Sequence, residues 1–140
     1  MAGTEEIVLD AAVVVKWFSK ESGHDKALRV RERHIEGVET IISLDLMLYE
    51  VANALRYNPG FGEAEVGRAV GDLINLEMDL ITPSRAILET TAKNAYKYGL
   101  TVYDASYLSL AEIMGLKLLT ADEQLYRRTE ATGFVDLLEE

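Results

Sequence analysis

The stretch Ile7-Val8-Leu9-Asp10-Ala11-Ala12-Val13-Val14-Val15 decides how this chain is read. Ile7–Asp10 is a short, β-branched apolar run of the length expected for a strand buried on both faces, the kind found in parallel sheets. Asp10 breaks the apolar run at a position where an unpaired carboxylate would be costly. The whole stretch falls far short of the roughly 20 apolar residues that cross a bilayer. No secretory signal or lipidation motif precedes it, so the expectation is a cytoplasmic protein with no membrane contact.

Working outward, His24–Gly37 reads as a helix with Ala27, Leu28, Val30 and Ile35 inward and Lys26, Arg29 and Arg33 on a solvated face. Thr40–Ser43 is a strand, and Asp45–Tyr57 a helix with the stripe Leu48, Val51, Ala52, Leu55, ended by Asn58-Pro59-Gly60. Glu63–Met78 is helical, Leu80–Thr82 a strand stopped by Pro83, and Ser84–Tyr98 a helix closed by Gly99. Tyr103–Met114 is a helix closed by Gly115, Lys117–Thr120 a strand, Asp122–Ala131 a helix closed by Gly133, and Phe134–Leu137 a last strand. Strands alternating with helices, some crossovers carrying two, imply an α/β fold: a three-layer α/β/α sandwich around a mostly parallel sheet. Ligands of such folds bind outside the carboxyl ends of the strands.

At 140 residues, with no repeat, linker or low-complexity segment, residues 1–140 are expected to form a single domain. The chain has no cysteine, which excludes disulfides and thiolate metal sites, and its two histidines, His24 and His34, flank a surface helix and read as inert. Any metal is therefore held by oxygen or imidazole, and with only two histidines oxygen is the expected ligand. A formal charge of −10 speaks against a surface that attracts nucleic acid all over. That objection weakens if carboxylates gather in one metal site, because bound divalent cations then become the phosphate-binding charges.

Four acids stand out. Asp10 ends the first strand, and Asp122 follows the strand Leu118-Leu119-Thr120, so both belong to one rim of the sheet. Asp104 opens the helix at Tyr103, and Glu50 lies mid-helix between Tyr49 and Val51 with Asn53 one turn on. Each has a purely structural reading: Asp at a helix N-terminus is favoured by capping and the macrodipole. Thr101 is a possible cap beside Asp104, and Thr120-Ala121-Asp122-Glu123 fits a capping box in which Thr120 and Glu123 satisfy the first turn. Asp10 and Glu50, in apolar surroundings, are the harder pair to explain without a cation. Carboxylates without histidine or cysteine are the ligand set of Mg²⁺ or Mn²⁺, and one or two such ions can activate a water and stabilise a leaving oxygen in phosphodiester hydrolysis.

With those residues in place the sequence resembles the PIN-domain family over nearly its whole length, and within it the VapC-type toxins. The resemblance rests on Ile7–Trp17, Leu48-Tyr49-Glu50-Val51-Ala52-Asn53-Ala54-Leu55, Thr101–Ala111 with its Tyr103-Asp104-Ala105-Ser106-Tyr107, and Leu118-Leu119-Thr120-Ala121-Asp122, in that order. It implies a metal-dependent endoribonuclease, the toxin half of a type II toxin–antitoxin pair. Asp10, Glu50, Asp104 and Asp122 would be the catalytic and metal-binding acids for one or two Mg²⁺ or Mn²⁺ ions, and a metal-activated water would cut RNA. It also implies a homodimer silenced by an antitoxin whose tail enters the active-site groove, and the acidic surface would suit a basic segment. Asn53, orienting Glu50 or a water, and Thr120, hydrogen-bonding Asp122, carry over as supports. Two departures are Ala12, where many relatives have a hydroxyl two residues after the first aspartate, and the absence of a fifth acid beyond the neighbouring Glu123.

Lys16, Lys20, Lys93, Lys97, Arg127 and Arg128 could line an RNA groove, although scattered basic residues equally make a solvated face. Trp17-Phe18 and the seven tyrosines could stack on unpaired bases, while Tyr107 reads as buried. A receiver-like phosphorylation module would need adjacent acids after the first strand and a lysine near the last, and a phosphatase an Asp-x-Asp motif; Asp10-Ala11-Ala12 supplies neither. An RNA-processing nuclease without an antitoxin, or an inactive PIN-like interaction module, remain as alternatives, the latter opposed by four intact acids.

Overall fold

The computed structural model describes residues 4–139. Its strands are β1 (Glu5–Leu9), β2 (Glu39–Leu44), β3 (Asp79–Ile81), β4 (Leu118–Thr120) and β5 (Val135–Leu137). The helices are α1 (Ala11–Val15), α2 (His24–Ile35), α3 (Leu46–Arg56), α4 (Glu63–Asn75), α5 (Arg85–Tyr98), α6 (Val102–Met114) and α7 (Glu123–Thr129), the last followed by a 3-10 turn at Glu130–Thr132. All strand pairs are parallel, in the order β3-β2-β1-β4-β5, so the expected α/β fold with a parallel central sheet is what forms. Pairs of helices fill the crossovers β1 to β2, β2 to β3 and β3 to β4.

Hydrophobic burial explains the centre of the sheet. Val8, Leu9, Ile41, Ile42, Leu44 and Leu118 are fully buried, as β-branched and leucine-rich runs covered on both faces require. Behind them α6 buries every residue from Ala105 to Ala111, and its largest partner is α5. The strand order reverses between β1 and β4: the chain builds outward through β2 and β3, then returns to the other side of β1. Such a switch leaves a crevice at the carboxyl ends of the two central strands.

Ala11–Val15 is helical because Asp10 caps it and Val13 and Val14 reach the core. Local readings differ elsewhere. Helix α4 stops at Asn75 rather than Met78, since Glu77 adopts a left-handed backbone (φ 54°) and Met78 is needed in the core as the chain turns into β3. His34 is not inert: its Nδ1 accepts the Ile41 N–H at 3.0 Å and its Nε2 meets the Leu76 carbonyl at 2.7 Å, an arrangement that needs the proton on Nε2. The imidazole thereby ties α2 to β2 and to the end of α4. His34→Ala leaves a buried N–H and a carbonyl unpaired, so we expect a loss of about 1–3 kcal/mol, seen as a lower urea midpoint at unchanged m-value.

Candidate active site

Asp10 lies one residue past β1, and its backbone is extended, so its side chain caps α1 by accepting the Val13 N–H at 3.3 Å. The register Leu9↔Leu119 sets Asp10 across from Thr120, the last residue of β4. There the Thr120 hydroxyl donates to Asp10 Oδ2 at 2.5 Å and accepts the Asp122 N–H at 3.0 Å. One buried hydroxyl therefore joins the first acid to the fourth across the switch point of the sheet. Thr120 does bond Asp122, as expected, but its stronger partner is Asp10.

Asp122 itself is the N-cap of α7: its Oδ1 accepts the Gln124 and Leu125 N–H groups at 3.0 and 3.1 Å. The anticipated capping box is thus not formed, because Thr120 is still in the strand and Glu123 pairs with Arg127 instead. Asp104 sits in the first turn of α6, whose cap is Thr101, accepting the Asp104 N–H at 3.0 Å. Helix α6 runs toward the start of β4, so its N-terminus lies at the carboxyl edge of the sheet, and Asp104 and Asp122 share a pocket of about 250 Å³ with Thr101, Gln124 and Arg128. The largest cleft, about 680 Å³ between Lys20 and Arg29, contains none of the four acids. Its size reflects an open surface between the end of α1 and α2, and we assign the chemistry to the smaller acidic pocket.

Glu50 is half-buried on α3 and accepts the Tyr107 hydroxyl at Oε1, 2.5 Å away. Sequence reasoning expected Asn53 to orient Glu50; Asn53 is exposed, and the bond comes from Tyr107. Tyr107 was expected to be buried and is, at 1% exposure. Its position one turn after Asp104 puts it on the same face of α6, which is the signal that could have marked it as part of the site.

Crowding acids where water is scarce raises their proton affinity. Burial pushes the Asp10 carboxyl up to about 7, against the hydrogen bonds from Thr120 and Val13 and aided by the charges of Asp104 and Asp122. Burial also raises Asp104, with Asp122 adding to it and a bond to Thr101 opposing it. Glu50 moves up for the same first reason, opposed by the Tyr107 hydrogen bond and helped by the charge of Asp104. The Tyr107 phenol rises too, chiefly through burial and then through its bond to Glu50. The four carboxylates are therefore electrostatically one group. Among the described residues, no salt bridge reaches any of them.

A parallel α/β sandwich with an acid cluster at its switch point is the layout of a hydrolase that handles charged substrates at a strand edge. Comparison with known proteins names the group. The PIN domain model matches residues 7–131. Ribonuclease VapC3 of Pyrobaculum aerophilum is 35% identical over 130 residues, covering 90% of this chain and 96% of the relative. Exonuclease VapC9 of the same organism is 30% identical over 138 residues, covering 95% and 92%. A solved structure described as a toxin-antitoxin complex from Klebsiella pneumoniae shares the fold, with a TM-score of 0.69 over 96% of this chain and 98% of that one at 17% identity. The chain belongs to the PIN-domain family of nucleases and, within it, to the VapC type.

Two outcomes follow from the electrostatics. Because Asp10 holds its proton more tightly in the fold than in the unfolded chain, where its value is 3.8, metal-free stability is greatest below about pH 4 from this group. It falls as pH rises toward about 7, by up to about 4 kcal/mol. Asn can occupy the same cap and bond Thr120 with the hydroxyl reversed, so Asp10→Asn should melt a few degrees higher than the native chain at pH 8 in chelator, with a flatter pH dependence. A lower melting temperature for the variant at pH 8 would contradict the assignment. Separately, Tyr107→Phe keeps the packing and frees Glu50; a decrease of about 10-fold or more in RNA cleavage is expected, the range for losing a group that orients a site carboxylate.

Proposed function

We propose that this chain is a Mg²⁺- or Mn²⁺-dependent endoribonuclease, the toxin of a type II toxin–antitoxin pair, acting in the cytoplasm as a homodimer. The observation that carries the reading is the set Asp10, Glu50, Asp104 and Asp122: four carboxylates near the carboxyl ends of the central strands, three with raised proton affinity and, among the described residues, no salt bridge to any of them. A positive charge from outside resolves that repulsion. Among the described residues no three acid or imidazole groups close into a ready-made cage. An open set of oxygen donors suits an ion that keeps several waters and takes one or two carboxylates. On this reading Asp104 and Asp122, which line one pocket, take the ion directly, and Asp10 and Glu50 serve it from beside them through its bound waters.

When bound, the ion would lower the barrier to deprotonating a water and neutralise charge on the phosphodiester. The chain's own part is to hold acceptors in place. Thr120 and the Val13 N–H keep Asp10 oriented and Tyr107 keeps Glu50 oriented, so that a carboxylate is held in place to accept the proton of the attacking water. No side-chain nucleophile is needed: the water oxygen bonds to phosphorus as its proton passes to a carboxylate, the P–O3′ bond breaks and the 3′ oxygen leaves and is protonated, so the products carry a 5′-phosphate and a 3′-hydroxyl. The acidic charge of the chain supports a basic antitoxin segment as partner, in line with the fold it shares with a toxin-antitoxin complex from Klebsiella pneumoniae.

The name of the relative VapC9 favours exonuclease action as a second reading, so the substrate must separate the two. A labelled linear single-stranded RNA and a circular one are incubated with Mn²⁺, Mg²⁺ or EDTA, using the native chain, Asp10→Asn and Asp104→Asn. We expect the native chain to open both RNAs with either metal and not in EDTA, and both variants to lose at least about 100-fold, the scale for removing a charge acting in the transition state. Cutting confined to the linear RNA would establish exonuclease action. Equal cutting by all three proteins, or 2′,3′-cyclic products, would reject the mechanism.

A further inference from the structure

Of the basic residues that could meet RNA, Arg128 is set apart from Arg127, Lys16, Lys97 and Lys20 by its surroundings. Arg127 is paired with Glu123, Lys16 with Glu21 and the Ser22 carbonyl, and Lys97 lies over the Tyr98 ring. Lys20 lines the cleft that lacks the acids. Arg128 lines the pocket that contains Asp104 and Asp122, beside Gln124. Among the described residues it has no carboxylate partner.

Its guanidinium is nevertheless held in place. Nη1 donates to the Gly99 carbonyl, which ends α5. Gly99 is left-handed (φ +65°), and a Cβ there would stand 3.0 Å from Arg128 Nη1, so the glycine both closes the helix and leaves room for the cation. A carbonyl at a helix C-terminus attracts the guanidinium without cancelling its charge. The other N–H donors of the planar fork remain for a ligand, and that geometry matches two oxygens of a phosphate. A cation kept unpaired at the lip of an acid cluster is poorly explained by stability, since pairing with a nearby acid would be the cheaper arrangement.

We propose that Arg128, with Gln124, forms a phosphate-binding subsite for the nucleotide adjoining the scissile bond of single-stranded RNA. At about 250 Å³ the pocket is smaller than the roughly 300–1,000 Å³ that takes drug-sized ligands, which limits it to one phosphate and its sugar. The role is binding and positioning: Arg128 anchors the chain on one side of the acids and so sets which phosphodiester bond reaches them. This rests on the ribonuclease reading above.

The test uses the full chain and a short fluorescein-labelled single-stranded RNA in Mn²⁺, with turnover read on the native background and binding read by anisotropy on the Asp10→Asn background, which cuts too slowly to interfere. Arg128→Gln is expected to weaken binding and raise KM about 10-fold, within the range for losing a charged contact to nucleic acid, with kcat within about twofold. The salt dependence of log binding should become shallower by about 0.7, one phosphate contact on a single strand. Arg128→Lys should keep the salt slope and recover part of KM, and Arg127→Gln should behave as the native chain. If Arg128→Gln melts lower but keeps the native KM and salt slope, Arg128 is a helix-end clamp and the subsite is wrong. A native chain that neither binds nor cuts this RNA overturns the ribonuclease reading and the subsite with it, whereas a cutting native chain with an indifferent Arg128→Gln overturns the subsite alone.

Discussion

A single hydroxyl–carboxylate contact, Thr120 Oγ1 to Asp10 Oδ2, holds the two halves of this molecule in register where they matter. The sheet grows from β1 in both directions, and the acids of the two halves arrive at one place only if the ends of β1 and β4 are level. The backbone ladder Val8↔Leu118 and Leu9↔Leu119 sets that level through its buried side chains, and a contact at the strand ends extends it to the acids. Thr120 does this from a fully buried position, and its backbone-facing lone pair then orients Asp122. The cost of burying Asp10 is offset by this bond and by the Val13 N–H, which in turn starts α1.

The same crowding that makes the site also makes it unstable. Burial and mutual repulsion raise Asp10, Glu50 and Asp104, while the bonds from Thr120, Val13, Thr101 and Tyr107 pull the other way and do not fully compensate. Elsewhere the chain pairs its charges freely, as in Lys16–Glu21, Arg85–Glu89 and Arg127–Glu123. The contrast is informative: pairing is available to this sequence, and it is absent at the rim. Local strain of this kind is supported by the surrounding packing, here the fully buried α6 and the central strands.

The fold was legible because its signals are periodic. Alternating apolar strands and amphipathic helices, with Gly99 and Gly115 at helix ends, could be counted along the chain, and the sheet follows from them. What escaped were features decided by tertiary contact. Ala11–Val15, with three valines in five residues, is helical because a cap and two buried valines overrule propensity. Asp10, Glu50, Asp104 and Asp122 stand out in the sequence by their awkwardness or their place at element ends; in the fold Thr120 joins Asp10 to Asp122, and Asp104 and Asp122 line one pocket. Tyr107 was read only as bulk, since nothing in a sequence says that a buried phenol on α6 will face a glutamate on α3. His34 escaped similarly, because its two partners lie 7 and 42 residues away.

A chain of net charge −10 that handles a polyanion has to separate its local field from its global one. Without an added cation, the rim acids repel phosphate, and a strand of RNA would meet the highest negative potential at the very place where it must be cut. On the reading proposed here, cation binding reverses that sign locally, so binding in the productive register becomes conditional on the ion while the rest of the surface stays repulsive. The arrangement narrows the places where RNA can settle to those that offer positive charge beside the acids, and Arg128 is positioned as such a place. Overall acidity is then a source of selectivity, and it leaves the remaining surface free to attract a basic protein partner without competition from nucleic acid.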